Sequence, residues 1–251
     1  VRISWQADWL YWQKILRKSW PIALGIAFNL VYFRADTIIL SLYHSAATVG
    51  LYGASYKILE IISTFPHMFM GLLMPILTIA WIERDKERFQ NTLQRGFDFF
   101  ALLAVPLVLG SIPLADRIMR ALAGRDFTAA GALLPILMLA TACIFIGTLF
   151  TYTLVILDKQ KQMLKFYFLA AALSIIGYFI FIPRYSYFGA AWVTIFSELF
   201  VVISAWALSY GMIKIKLGFK NLSKIILAGL LMLAFIYLII SWPLAIIIPL
   251  S

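Results

Sequence analysis

Residues 29–60 read NLVYFRADTIILSLYHSAATVGLYGASYKILE. Two apolar runs with helical character are joined by a short turn containing Gly50, and four charges lie inside them. Arg34 and Asp36 belong to the first run, Lys57 and Glu60 to the second. In a chain as apolar as this one, four ionisable groups so placed need a physical reason.

Of the 251 residues, 63% are hydrophobic and 13% charged. A soluble domain of this size carries about 25% charge and about 45–50% apolar residues. That excess exceeds what one core can hide, so lipid must take the rest. The composition predicts an all-α, polytopic bundle of about seven to eight membrane helices. Continuous apolar runs, rather than alternating ten-residue segments, argue against a membrane β-barrel. The net charge of +10 lies between the runs, which fits the loop bias of membrane proteins and not nucleic-acid binding. The only cysteine, Cys143, leaves no intrachain disulfide and no cysteine-based metal site.

Working outward, residues 3–18 place Trp5, Trp9, Trp12 and Leu16 at helical spacing, with Lys14, Arg17 and Lys18 following. This is the pattern of an amphipathic helix in the headgroup region, and 1–19 is assigned to it. Apolar runs follow at about 20–43, 51–81, 97–119, 128–157, 164–183, 187–211 and 222–241. Each approaches the roughly 20 residues that cross about 30 Å of hydrocarbon. The first six, 20–211, form one lobe; 212–251 adds a further helix and the start of another near Leu244. Pro66, Gly71 and Pro75 are candidate hinge points in the second run.

One set of connections holds fifteen of the 21 Lys and Arg residues and the alternate set holds four (Arg117, Arg120, Arg125, Arg184). The positive-inside bias puts the N-terminal end on the cytoplasmic side. Trp20, Trp81, Trp206, Tyr210 and Trp242 fall near run ends, as interfacial anchors do. Asp98, near a cytoplasmic end, is expected to snorkel toward headgroups.

A charge at the centre of a membrane helix costs about 2.5–3.5 kcal/mol on insertion scales and faces protein or a watery cavity. At about 1.5 Å per residue, Arg34 and Asp36 lie roughly 10–13 Å from the outer end of their run, and Lys57 and Glu60 roughly 9–14 Å from Leu51. Arg34 with Glu60 and Asp36 with Lys57 are both accessible pairings across consecutive antiparallel helices. Two readings stand: an ion-pair cluster that lets the helices pack, or a cationic cavity site with acids tuning it or carrying a coupling ion. Arginine's fork suits phosphate. Glu198, near mid-membrane in the sixth run, is either hydrogen-bonded in the bundle or paired with a distant cation. His67, beside Pro66, is read as a bundle histidine. No phosphate loop, histidine pair at metal spacing or Ser/His/Asp set appears, so no enzyme activity and no cofactor are expected.

The segment VGLYGASYK (49–57) resembles the turn and helix start of bacterial polysaccharide flippases, the Wzx-like members of the multidrug/oligosaccharidyl-lipid/polysaccharide exporter superfamily. RADTIIL (34–40) resembles their Asp-containing seventh helix, and IPRY (182–185) followed by GAAW (189–192) their turn between helices 11 and 12. The resemblance covers about residues 20–211. It implies the C-terminal half of a protein with two six-helix lobes: helices 7 to 13 and a stump of 14, with the N-terminal lobe as partner. The implied function is flipping an undecaprenyl-diphosphate-linked oligosaccharide across the bacterial inner membrane for O-antigen or similar surface polysaccharide. The partners would be the bilayer, the lipid-linked glycan and other polysaccharide-assembly proteins. Arg34 and Lys57 would then face the cavity, with Asp36, Glu60 and Glu198 in ion coupling or charge pairing. The competing readings are a multidrug antiporter of the same superfamily and a membrane-embedded glycan polymerase or ligase; short outer loops speak against the latter.

Overall fold

The computed structural model describes residues 9–214 and 217–241. The first part of the amphipathic segment, Trp242 and the helix start near Leu244 lie outside the described residues. Every long element is helical: α1 (Trp9–Tyr43), α2 (Ala46–Ile82), α3 (Lys86–Ala123), a 3-10 segment (Arg125–Leu133), α4 (Leu134–Ile156), α5 (Gln160–Ile213) and α6 (Lys220–Ser241). Six stretches are long and apolar enough to cross a membrane. In lipid, a helix is the structure that satisfies its own backbone, so apolar runs of this length have little choice.

α5 accounts for two crossings. Its 54 residues would reach about 80 Å if straight, far beyond any bilayer core. The chain instead reverses at Ser186, whose backbone (φ 53°, ψ −138°) is non-helical. Residues 160–185 and 187–213 then run back along each other. Gly177 lies against Val193, and the Tyr178 hydroxyl lies 3.4 Å from that of Thr194. Sixteen residues apart, these pairs would be about 24 Å apart on a straight helix. Gly189 is required here, because a Cβ would sit 2.4 Å from the Phe181 carbonyl oxygen. The described residues thus make seven helical passes.

α4 occupies the centre. Its sequence is apolar on all sides, as expected of a helix surrounded by others, and thirteen of its 23 residues are buried. Thr141, Thr148 and Thr153 enter this core because each hydroxyl donates to the carbonyl four residues back, at 2.7–2.9 Å. α4 packs against α5 on one side and against α2 and α3 on the other, and α1 packs on the outside against α5. One end of the bundle carries the connections 83–85 and 157–159 and residues 217–219 before α6, hereafter the basic end. The other carries 44–45, the 3-10 segment and the α5 reversal. At that far end His44 Nε2 donates to the Ile182 carbonyl (2.9 Å) and Ser55 to the Ala130 carbonyl (2.9 Å).

Residues 9–19 continue into the first span as one helix, with Pro21 inside. One detail differs from the sequence expectation. Asp98 does not reach for headgroups; it accepts from Gln94 (2.7 Å) and from Asn221 of α6 (2.6 Å). Gln94 also exchanges two hydrogen bonds with Gly218 (3.0 and 2.8 Å), so the start of α6 is clamped to α3. Pro66 and Pro75 lie within an unbroken α2, and open space surrounds the Cα of Gly71.

Candidate functional site

α1 and α2 meet mainly near the far end, where the Tyr56 hydroxyl donates to the Phe33 carbonyl (2.9 Å) and their rings pack edge to face at 5.5 Å. The four charges of the opening stretch divide around this contact. Arg34 Nη1 lies 2.6 Å from Glu60 Oε1, and Lys57 Nζ donates to Glu60 Oε2 at 3.1 Å. Asp36 takes no part. It is fully buried, and accepts from the Tyr52 hydroxyl (2.5 Å) and from the Thr37 amide and hydroxyl. Of the two cross-helix pairings, only Arg34–Glu60 forms.

The reason is helix phase and reach. Two residues apart, Arg34 and Asp36 diverge by about 200°, so one faces α2's outer surface while the other turns into the bundle. α2 also begins at Ala46, five residues before the point from which depth was counted. Glu60 therefore lies about 21 Å along α2 from its start, against about 13 Å for Arg34 from the end of α1. The long arginine side chain makes up the difference. Sequence reasoning missed Tyr52; its place four residues before Tyr56 on one helix face was the available signal.

The resulting triad holds two cations on one carboxylate. The Arg34 and Lys57 side chains are 57% and 69% exposed, Glu60 only 16%. Glu60 thus fixes the two cations without covering them, and a net positive charge faces outward from the α1–α2 surface.

Two cavities lie near the triad, lined by residues of α1, α2, α4 and α5. The first, 190 Å³, is lined by Phe33, Ser63, Thr148, Glu198 and Val201 among others. The second, 460 Å³, reaches Pro21 and Gln160. Asn29, His67, Thr151 and Tyr167 line both, so the two adjoin. Glu198 is buried. Among the described residues, no group of three or more His, Cys, Asp or Glu is placed to hold a metal ion.

Comparison with known proteins places this geometry in a family context. The family model described as "Polysaccharide biosynthesis protein" matches residues 1–132. A Shigella dysenteriae protein described as an O-antigen transporter is 23% identical over 192 residues, covering 75% of this chain and 47% of its own length. The teichuronic acid biosynthesis protein TuaB of Bacillus subtilis (strain 168) is 29% identical over 201 residues, 75% of this chain and 39% of its own. The chain thus spans about half or less of the curated relatives it matches. Among solved structures, the lipid II flippase MurJ in an inward closed conformation aligns with TM-score 0.72 at 18% identity, over 96% of this chain and 51% of that one. An outward-facing multidrug resistance MATE family transporter of the MOP superfamily aligns at 0.65 and 20%, over 89% and 52%. The fold is that of MOP-superfamily transporters.

Proposed function

The chain belongs to the polysaccharide biosynthesis protein family, and from that membership we propose that it forms part of a flippase for undecaprenyl-diphosphate-linked oligosaccharides in the bacterial inner membrane. The observation that carries the reading is the exposed cation pair: Arg34 and Lys57 on a shared, recessed Glu60. Guanidinium and ammonium together suit a diphosphate, and a fixed carboxylate holds them apart in advance. The relatives named for O-antigen transport, teichuronic acid synthesis and lipid II flipping support the substrate class.

The surface formed by α1 and α2 is where a second lobe would close over the site, and rocking of two lobes would expose it alternately to each leaflet. In this reading Glu60 is the positioning counter-charge and Asp36 a structural acceptor, while Pro66, Gly71 and Pro75 give α2 its capacity to bend. The N-terminal end of the chain lies in the cytoplasm, and the protein is a transporter and not an enzyme. A multidrug antiporter would present an acidic surface to cationic drugs, which an outward-facing excess of positive charge repels.

The test is Arg34→Ala in the whole protein. Membrane insertion is expected to be intact, with lipid-linked glycan accumulating in the cytoplasmic leaflet. Surface polysaccharide at the normal level in that variant would remove Arg34 from the mechanism.

A further inference from the structure

We propose that the far end of α3 carries a headgroup site for an anionic phospholipid, built on Arg117 and Arg120. The choice of residue comes first. The far-end connections hold four cations, and all are arginine (Arg117, Arg120, Arg125, Arg184), whereas the fifteen in the alternate set include ten lysines. Cations are depleted from outer connections, and those kept here are of the type whose planar fork binds two oxygens of one phosphate. One cation in the last turn answers the helix dipole. Arg120 supplies it, and Arg117 and Arg125 exceed that need.

Helix geometry sets the depth. Arg117 lies 22 residues beyond Arg95 on α3, about 33 Å of helix, close to the roughly 30 Å of a hydrocarbon core. Between them Asp98 is the one charged residue, and it is bonded to Gln94 and Asn221. Arg117 and Arg120 are three apart, so their Cβ atoms stand about 5–6 Å from each other on one face. Leu102 precedes Arg120 by five full turns and marks the same side. It is 53% exposed, an apolar side chain turned toward acyl chains at hydrocarbon depth.

The charges there are open to a ligand. Arg117, Arg120 and Arg125 are exposed, and among the described residues none of them forms an ion pair. The local acids are Asp116 and Asp126. The Asp116 carboxylate lies against Gly131 of the 3-10 segment, which packs on α3, and Asp126 follows Arg125 in the first turn of that segment. Three arginines against two acids leave the end net positive. A phospholipid with its phosphate between Arg117 and Arg120 would run its chains down the Leu102 side. A zwitterionic headgroup offers the same phosphate but adds an ammonium that both arginines repel, so the preference is for a net anionic lipid. The site is independent of the diphosphate reading; only its leaflet, the outer one, follows from the proposed orientation.

Site-directed photo-crosslinking tests this. The whole protein carries p-benzoylphenylalanine in place of Ala121, an exposed position four residues after Arg117 and next to Arg120. It is placed in nanodiscs of equal parts phosphatidylglycerol and phosphatidylcholine with matched chains, and the captured lipid is identified by mass. Phosphatidylglycerol is expected to be captured roughly five- to tenfold over phosphatidylcholine. Arg117→Gln with Arg120→Gln should bring the two lipids to parity. Arg117→Lys with Arg120→Lys, which keeps charge and loses the fork, should retain only part of the preference. Arg95→Gln, at the other end of the span, should leave it unchanged. Equal capture with both arginines in place, or a preference that survives the double Gln variant, overturns the site. Full preference in the double Lys variant overturns its bidentate character. Displacement of phosphatidylglycerol by a trace of polyprenyl diphosphate would give the surface to the transported lipid and also defeat the proposal. None of these outcomes touches the diphosphate reading, which stands or falls on Arg34→Ala.

Discussion

At the scale of single residues, the two acids of the α1–α2 pair have opposite environments. Asp36 is fully buried and draws its donors from Tyr52 and Thr37. Replacing Tyr52 by Phe leaves Oδ2 of the buried Asp36 without its hydroxyl donor, which costs about 1–3 kcal/mol. A fall in detergent-solubilised thermal stability is therefore expected, and an unchanged melting profile would show that Asp36 finds another donor. Glu60 behaves otherwise, because it competes with any anion for Arg34 and Lys57. Glu60→Gln is predicted to tighten inorganic pyrophosphate binding by a few-fold and to steepen its salt dependence. Weaker pyrophosphate binding in that variant would mean that positioning outweighs competition. The sequence announced that these four charges mattered and that Arg34 could meet Glu60. It did not decide between the two pairings, since that depended on where α2 starts and on Tyr52 taking Asp36 out of contention.

At the scale of elements, apolar run length foretold nearly every helix, because backbone satisfaction in lipid leaves few alternatives. Side-chain destinations at helix ends were less legible. Asp98 sits where a carboxylate can reach headgroups, yet it joins α3 to α6 through Asn221; nothing local distinguishes the two outcomes. A double-mutant cycle with Asp98→Ala and Asn221→Ala is expected to show a coupling of about 1–2 kcal/mol. Additive effects would reduce the clamp to coincidence. Glycines give a sharper contrast. Gly189→Ala should abolish folded yield, since its Cβ would meet the Phe181 carbonyl at 2.4 Å. Gly71→Ala, with nothing within 4 Å, should be tolerated and may be gauged on the same expression and melting assays.

At the scale of the whole molecule, sequence reasoning read the bundle and the crossing number from hydropathy alone. The cavities were not readable, because their lining comes from four helices, α1, α2, α4 and α5, brought together only by packing. Orientation rests on charge asymmetry, and reporter fusions decide it. An alkaline phosphatase domain joined after His44 should be active outside the cytoplasm, and one joined after Asp85 inactive. The reverse pattern would invert the proposed direction of substrate entry.

The reversal at Ser186 also bears on how the chain enters its membrane. The two arms of α5 are separated by no polar loop, only by a bend around one non-helical residue flanked by Arg184 and Gly189. A first arm released alone would leave its Gly177 face and the Tyr178 hydroxyl against hydrocarbon, with the contacts of Val193 and Thr194 still to be synthesised. During biosynthesis the two arms are therefore best delivered as a paired helical hairpin, so that this reversal is also a unit of the bundle's assembly.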